Sequence, residues 1–148
     1  MTIYTPEDLV DHDAIGAVIF NQKGELLVLK HNKFDFWTIP IGKVQSDATL
    51  KETVIKEVKE EVNLDVIECK KLVELPQTYY RRGKWVQVVL HVFEVTRYSG
   101  KLKNMEPDKH EHMTWSSIDI IRGMEKSSLS DATRLYIQFK DNMEGVFS

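Results

Sequence analysis

The chain has 148 residues, 42% hydrophobic and 29% charged, a balance that suits one folded domain and argues against a disordered chain. Its 20 basic and 23 acidic residues leave a formal net charge of -3, which argues against a nucleic-acid duplex or an anionic membrane as the main partner. A small anionic ligand stays open, because a local cluster of charge can do what the total cannot. Taken in chain order, Asp13 to Phe20 is rich in Ala, Val and Ile and reads as a strand. Asn21-Gln22-Lys23-Gly24 reads as a turn, and Leu26 to Lys30 as a second strand completing a hairpin. Phe34 to Pro40 is aromatic and extended, with Pro40 marking a break. Thr49 to Val62 is predicted as a helix, and Val66 to Leu75 and Val86 to Thr96 as strands, with a polar, aromatic-edged loop over Tyr79 to Trp85 between them. His112 to Trp115 reads as a short strand and Ser128 to Lys140 as a closing helix. No repeat, low-complexity tract or Gly/Ser linker interrupts the chain, so one domain over residues 1–148 is expected. Strands around one central helix suggest a mixed α/β (α+β) sandwich and not a repeating βαβ fold.

The lone cysteine, Cys69, cannot form an internal disulfide and reads as a small buried residue. No apolar run approaches the length of a membrane span, and the opening Met1 to Asp8 carries acid without a long apolar core. A cytoplasmic protein is expected, with no membrane partner, and monomer and homodimer are both left open.

The segment Gly42 to Leu64 is the most informative. Thr49 with Glu52 three residues on is a capping box that starts a helix, and Asn63 tolerates the left-handed conformation where it should stop. Between them, Glu57, Glu60 and Glu61 project within an arc of about 100°. Val54, Ile55, Val58 and Val62 form an adjoining apolar arc that can pack on a sheet. Three carboxylates crowded beside a buried face repel one another, and a divalent cation with a preference for carboxylate oxygen would relieve that repulsion. The competing reading is a solvated face balanced by Lys56 and Lys59. Just upstream, Gly42 allows backbone groups to approach a ligand closely, and Lys43 could meet a phosphate.

Here the sequence resembles the Nudix hydrolase family. Its signature runs Gly, five residues, Glu, seven residues, then Arg-Glu-apolar-any-Glu-Glu-any-Gly-apolar. Gly42 takes the first place, and Lys56, Glu57, Val58, Glu60, Glu61, Asn63 and Leu64 follow in register, so the box spans residues 42–64. Ala48 stands where the first Glu is expected, Lys56 replaces Arg, Asn63 replaces Gly, and Ile41 sits where many members have another Gly. Ala48 is the serious departure, since it removes a carboxylate near the cluster; Asp47 stands next to it. The run Asn104-Met105-Glu106-Pro107-Asp108-Lys109, then Glu111 and Trp115, resembles a segment of members that hydrolyse nucleoside triphosphates.

The resemblance implies a Nudix fold, a mixed sheet in an α/β/α sandwich. It implies Mg²⁺-dependent hydrolysis (with Mn²⁺ as a substitute) of a phosphoanhydride bond, with a nucleoside triphosphate going to monophosphate and pyrophosphate. Gly42, Glu57, Glu60 and Glu61 are the implied metal site, and the same three glutamates the catalytic candidates. Glu111 is a further implied ligand, with Glu106 its lower-ranked rival because Pro107 suggests a turn. Phe36 and Trp37 could stack on a base, whereas Trp115 reads as core. His110 and His112 alternate as on a strand and with Glu111 could suggest a transition-metal site, but without a third histidine at matching spacing surface residues are the favoured reading. Arg81, Arg82 and Lys84 could meet phosphates, with a solvated loop the favoured reading. The alternatives are a Nudix-fold binding or regulatory module that has lost catalysis, which Ala48 favours, and a hydrolase of a dinucleoside polyphosphate or nucleotide sugar.

Overall fold

The computed structural model describes residues 4–145, so Met1, Thr2 and Ile3 of the N-terminal segment read above lie outside the described residues. A continuous apolar run from Ala14 to Val18 builds β1 (His12–Val18), which runs parallel to β6 (Lys84–Ser99) and antiparallel to β4 (Ile41–Lys43); β6 pairs antiparallel with β5 (Asp65–Arg81). The order of this mixed sheet is β4-β1-β6-β5. A second sheet, antiparallel throughout, has β2 (Leu26–His31) between β3 (Trp37–Thr38) and β7 (His110–Ser116). The helices are α1 (Leu50–Val62), the short α2 (Ile118–Arg122) and α3 (Asp131–Met143).

Successive strand residues face opposite sides, so β1 feeds two cores. Ile15 and Ala17 pack with Val54, Val58 and Val62 of α1, while Val18 packs with Leu135, Tyr136 and Ile137 of α3. The mixed sheet is therefore the centre of the expected α/β/α sandwich. Val54, Val58 and Val62 are completely buried, and each contributes about 1.5–3 kcal/mol relative to an exposed side chain. Gly16 is what lets α3 approach: a Cβ there would stand 3.0 Å from Ile39 Cδ1 and 3.2 Å from Ala132 Cβ.

Several boundaries differ from the sequence reading for physical reasons. The predicted loop over Tyr79 to Trp85 is mostly strand; the reversal is made by Arg82 and Gly83 alone, both at positive φ, so polar composition there marks the exposed tip of a long hairpin. Arg81 is not solvated: its Nη1 donates to Asp8 O at 2.9 Å, and its guanidinium lies 4.6 Å from the Tyr79 ring centroid. Gly42 and Lys43, which fall in none of the predicted strands, form β4 against β1. Ile55, assigned to the apolar arc of α1, is 46% exposed, and Thr53 is buried in its stead. The closing helix starts at Asp131 because Ser130 caps it, accepting the Thr133 N–H. Among the described residues, no helix is long and apolar enough to cross a membrane.

Candidate active site

The cap residues fix where α1 presents its carboxylates. Thr49 Oγ1 accepts the Glu52 N–H at 3.1 Å, and Glu52 Oε1 accepts the Thr49 N–H at 2.8 Å. At the other end Asn63 adopts the left-handed conformation (φ 66°, ψ 21°), and its side chain donates to Lys101 O at 2.9 Å. The chain then returns over the helix C-terminus, where Lys103 N donates to Val62 O and Met105 N to Glu61 O, both at 3.0 Å. These bonds satisfy terminal helix carbonyls and bring the segment 104–110 against Glu61.

That segment contains one helical turn. Glu106 O accepts the N–H groups of Lys109 and His110, both at 2.9 Å. Asn104 braces the turn, donating to His110 O at 2.8 Å and accepting the Glu106 N–H at 3.2 Å. Glu106 and His110 thus share a face four residues apart, as Glu57 and Glu61 do on α1. One donor atom from each of Glu61, Glu106 and His110 fits within a mutual separation of 4.8 Å. The Asn-any-Glu spacing was visible in the sequence, but the turn that turns Glu106 and His110 inward was not.

Both carboxylate oxygens of Glu61, Oε1 of Glu106 and both ring nitrogens of His110 are buried without a hydrogen-bond partner. Buried polar atoms left unpaired are costly and uncommon. Glu61 is 1% exposed, and burial pushes its carboxyl well above the usual carboxylate range; Lys109 opposes the shift, and Glu57 adds to it. Burial also raises Glu57, with the charge of Glu60 adding to the effect. Burial lowers His110 to about 4, and Lys109 and His31 push the same way. A divalent cation fits this donor set, since it would satisfy the orphaned oxygens and cancel their repulsion.

Gly42 faces this cluster from β4. A Cβ there would lie 2.4 Å from both Cγ and Cδ of Glu57 and 2.8 Å from Oε2, so only glycine leaves room for the carboxylate. Beside it is a cavity of about 320 Å³ lined by Lys43, Asp47, Ala48, Lys56 and Glu57 among others. Ala48 therefore faces the same space as Glu57, and Asp47 offers a carboxylate to it. Lys43 Nζ is held by Asp8 Oδ1 at 3.0 Å and Thr5 Oγ1 at 2.9 Å.

The structure brings Gly42, Lys43, Glu57, Glu60 and Glu61 together, Glu60 being the exposed member. It does not bring Glu111 into the cluster: that residue is exposed on β7, near enough to Lys30 to act on its charge. Glu106 stands beside Glu61 instead. His110, read as a surface residue, is completely buried, whereas His112 is exposed. The cause is a register shift: Lys30 pairs with His112 but His31 pairs with His110, so Glu111 is an extra residue in β7. Such a bulge redirects the side chains next to it. Phe36 and Trp37 are half-buried and do not line this cavity; Phe36 meets the His31 ring edge-on at 5.7 Å, and Trp37 stacks on His112 at 6.5 Å.

Residues 10–136 match the NUDIX domain family model. Among curated proteins the chain is similar to an RNA pyrophosphohydrolase of Marinomonas sp., 37% identical over 34% of this chain, and it spans only 32% of that protein's length. It is also 27% identical to the dihydroneopterin triphosphate diphosphatase of Haemophilus influenzae, over 84% of this chain and 85% of that one. Among solved structures, the MutT protein from Methanosarcina mazei superposes with a TM-score of 0.74 at 26% identity, covering 91% of this chain and 96% of that one. With its signature glycine packed on Glu57 of the acidic helix and the match spanning nearly the whole chain, the protein belongs to the NUDIX domain family.

Proposed function

We propose that this protein is a Mg²⁺-dependent hydrolase (Mn²⁺ substituting) that cleaves a phosphoanhydride bond in a nucleoside-diphosphate-linked substrate. Its substrate is a ribo- or deoxyribonucleoside triphosphate, which it converts to monophosphate and pyrophosphate. The observation that carries this reading is the buried, unpartnered carboxylate pair of Glu61 next to Glu57 on Gly42. Glu57, Glu60 and Glu61 would hold the metal, which when bound lowers the pKa of water and neutralises phosphate charge. Lys43, one residue from Gly42 and lining the cavity, is the cation for a substrate phosphate. Asp8 now pairs with it, so a phosphate would exchange one anion for another. Phe36 and Trp37 are the rings that would stack on a base. The triphosphate substrate named for the Haemophilus relative supports the choice of substrate class. A cytoplasmic location fits the single, buried thiol of Cys69.

One observation favours a second reading. Ala48 leaves a methyl group where the signature carries a carboxylate facing the cavity, as a binding or regulatory module could tolerate. A panel of nucleoside and pterin triphosphates, dinucleoside polyphosphates and nucleotide sugars, incubated with Mg²⁺, separates the two. Monophosphate and pyrophosphate should appear from a triphosphate, and ¹⁸O-labelled water shows which product received the attacking oxygen. Nucleotide binding by calorimetry without product from any member of the panel would replace the hydrolase with the binding module.

A further inference from the structure

We propose that His110 is a nitrogen ligand of the metal centre, making this a mixed carboxylate–imidazole site that binds Mn²⁺ in preference to Mg²⁺. The inference rests on the reading that the α1 carboxylates hold a divalent cation, and it adds a donor from outside the acidic helix.

His110 is completely buried, yet neither ring nitrogen has a hydrogen-bond partner. Its neighbour His31 is different: Nδ1 of His31 accepts the Lys33 N–H at 3.2 Å and the Phe34 N–H at 3.4 Å. The two rings meet edge to face at 5.6 Å, a packing contact that uses neither nitrogen of His110. Nε2 of His110 points at Glu61 Oε1 from 3.7 Å. That is too long for a hydrogen bond. It leaves room for one ion bonded to both atoms, because two metal–ligand bonds of about 2.0–2.2 Å together span more than that gap. Glu106 closes the set, since a donor atom from each of the three residues lies within 4.8 Å of the others.

The backbone holds this arrangement. Glu106 and His110 are locked in one turn by the His110 N to Glu106 O bond, and Met105 N ties that turn to the carbonyl of Glu61 itself. The donors are thus joined by hydrogen bonds through the main chain, and little ordering is left for the ion to impose. Two carboxylates and one imidazole suit a first-row transition ion. Mg²⁺ keeps to oxygen donors and sheds its waters reluctantly.

Pulsed electron paramagnetic resonance of the Mn²⁺-loaded protein reads nitrogen ligation directly and needs no substrate. The parent should show a directly bound ¹⁴N coupling that converts to ¹⁵N in protein made with ¹⁵N-histidine. His110→Gln, which offers oxygen in place of nitrogen, should lose the coupling. His91→Gln should keep it, because His91 lies away from the cluster on Asp13. Calorimetry should give Mn²⁺ at least a tenfold advantage over Mg²⁺ in the parent and less than threefold in His110→Gln. If His110→Gln fails to fold, the labelled parent still decides whether histidine binds the ion. Bound Mn²⁺ with oxygen couplings only would overturn the proposal and leave the hydrolase reading standing. Nitrogen coupling without hydrolysis of any compound in the panel would do the reverse.

Discussion

Gly42→Ala isolates the contact on which the acidic site is built. Gly42 is not at positive φ, so alanine suits its backbone and the only insult is the new methyl group. That methyl would stand 2.4 Å from Cγ and Cδ of Glu57, whereas carbon atoms rest at about 3.5–4.0 Å. The Glu57 carboxylate must therefore move by at least about 1 Å. Because the clashing atoms belong to a flexible side chain, the fold can yield: an off-rotamer side chain costs about 0.5–1.5 kcal/mol. For a chain of this size that lowers Tm by roughly 1–6 °C. The functional cost is larger, since a displacement of about 1 Å at a reacting centre can cost on the order of 100-fold in rate. Turnover with Mg²⁺ should fall by that factor, with a Tm loss of a few degrees in the metal-free protein. Gly42→Ala combined with Glu57→Asp, which removes one methylene from the clash, should lose less than the two single effects added together. Gly16→Ala is the contrast. Its methyl meets Ile39 and Ala132 in the core, so it should cost about 1–3 kcal/mol of stability and leave metal affinity unchanged. Parental turnover in Gly42→Ala would refute the claim that this glycine exists to seat Glu57.

Other outcomes follow from the same site. Glu61 has a folded-state pKa well above the ordinary 4.5 because it is buried, so the stability associated with its protonated form is complete below about pH 4.5 and is lost as pH rises through the raised value. Thermal melts of the metal-free protein should therefore fall from mildly acidic toward neutral pH after other groups are accounted for, and Glu61→Gln should flatten that fall and raise Tm at neutral pH; a parent and variant with parallel profiles would contradict it. Mg²⁺ should raise the Tm of the parent and not that of Glu61→Gln. Asn63→Ala should cost about 1–2 kcal/mol, from a left-handed residue without its polar side chain and the lost bond to Lys101 O, whereas Asn63→Gly should be nearly neutral by urea denaturation.

The acidic helix was legible because its signals are local. A capping box, a 3.6-residue apolar stripe and three glutamates within two turns all lie inside residues 49–63; the box forms as expected, and the stripe does so at Val54, Val58 and Val62 though not at Ile55. Of the strands, β5 and β6 were legible in kind but short in extent, and β4 was not read as a strand. Composition reports where β5 and β6 carry core residues, and their exposed ends are strands only because each pairs with the other. The places of Glu106, ranked below Glu111, and of His110, read as a surface residue, were not legible for a different reason. Glu106 and His110 converge on Glu61 through a turn stabilised by Asn104, a main-chain bond to the helix C-terminus, and a bulge at Glu111 that depends on the register of β7 against β2. The turn itself is local, but the bond to the helix and the register of β7 are relations between segments distant in sequence, and no window on the chain contains them. Strand periodicity alone would give His110 and His112 the same face, and it is the pairing with β2 that separates them. The signature thus supplies Glu61 to the buried polar cluster and is silent on Glu106 and His110. Those two belong to a loop segment, and a loop held by a few hydrogen bonds can exchange one donor for another without disturbing the helix beneath it.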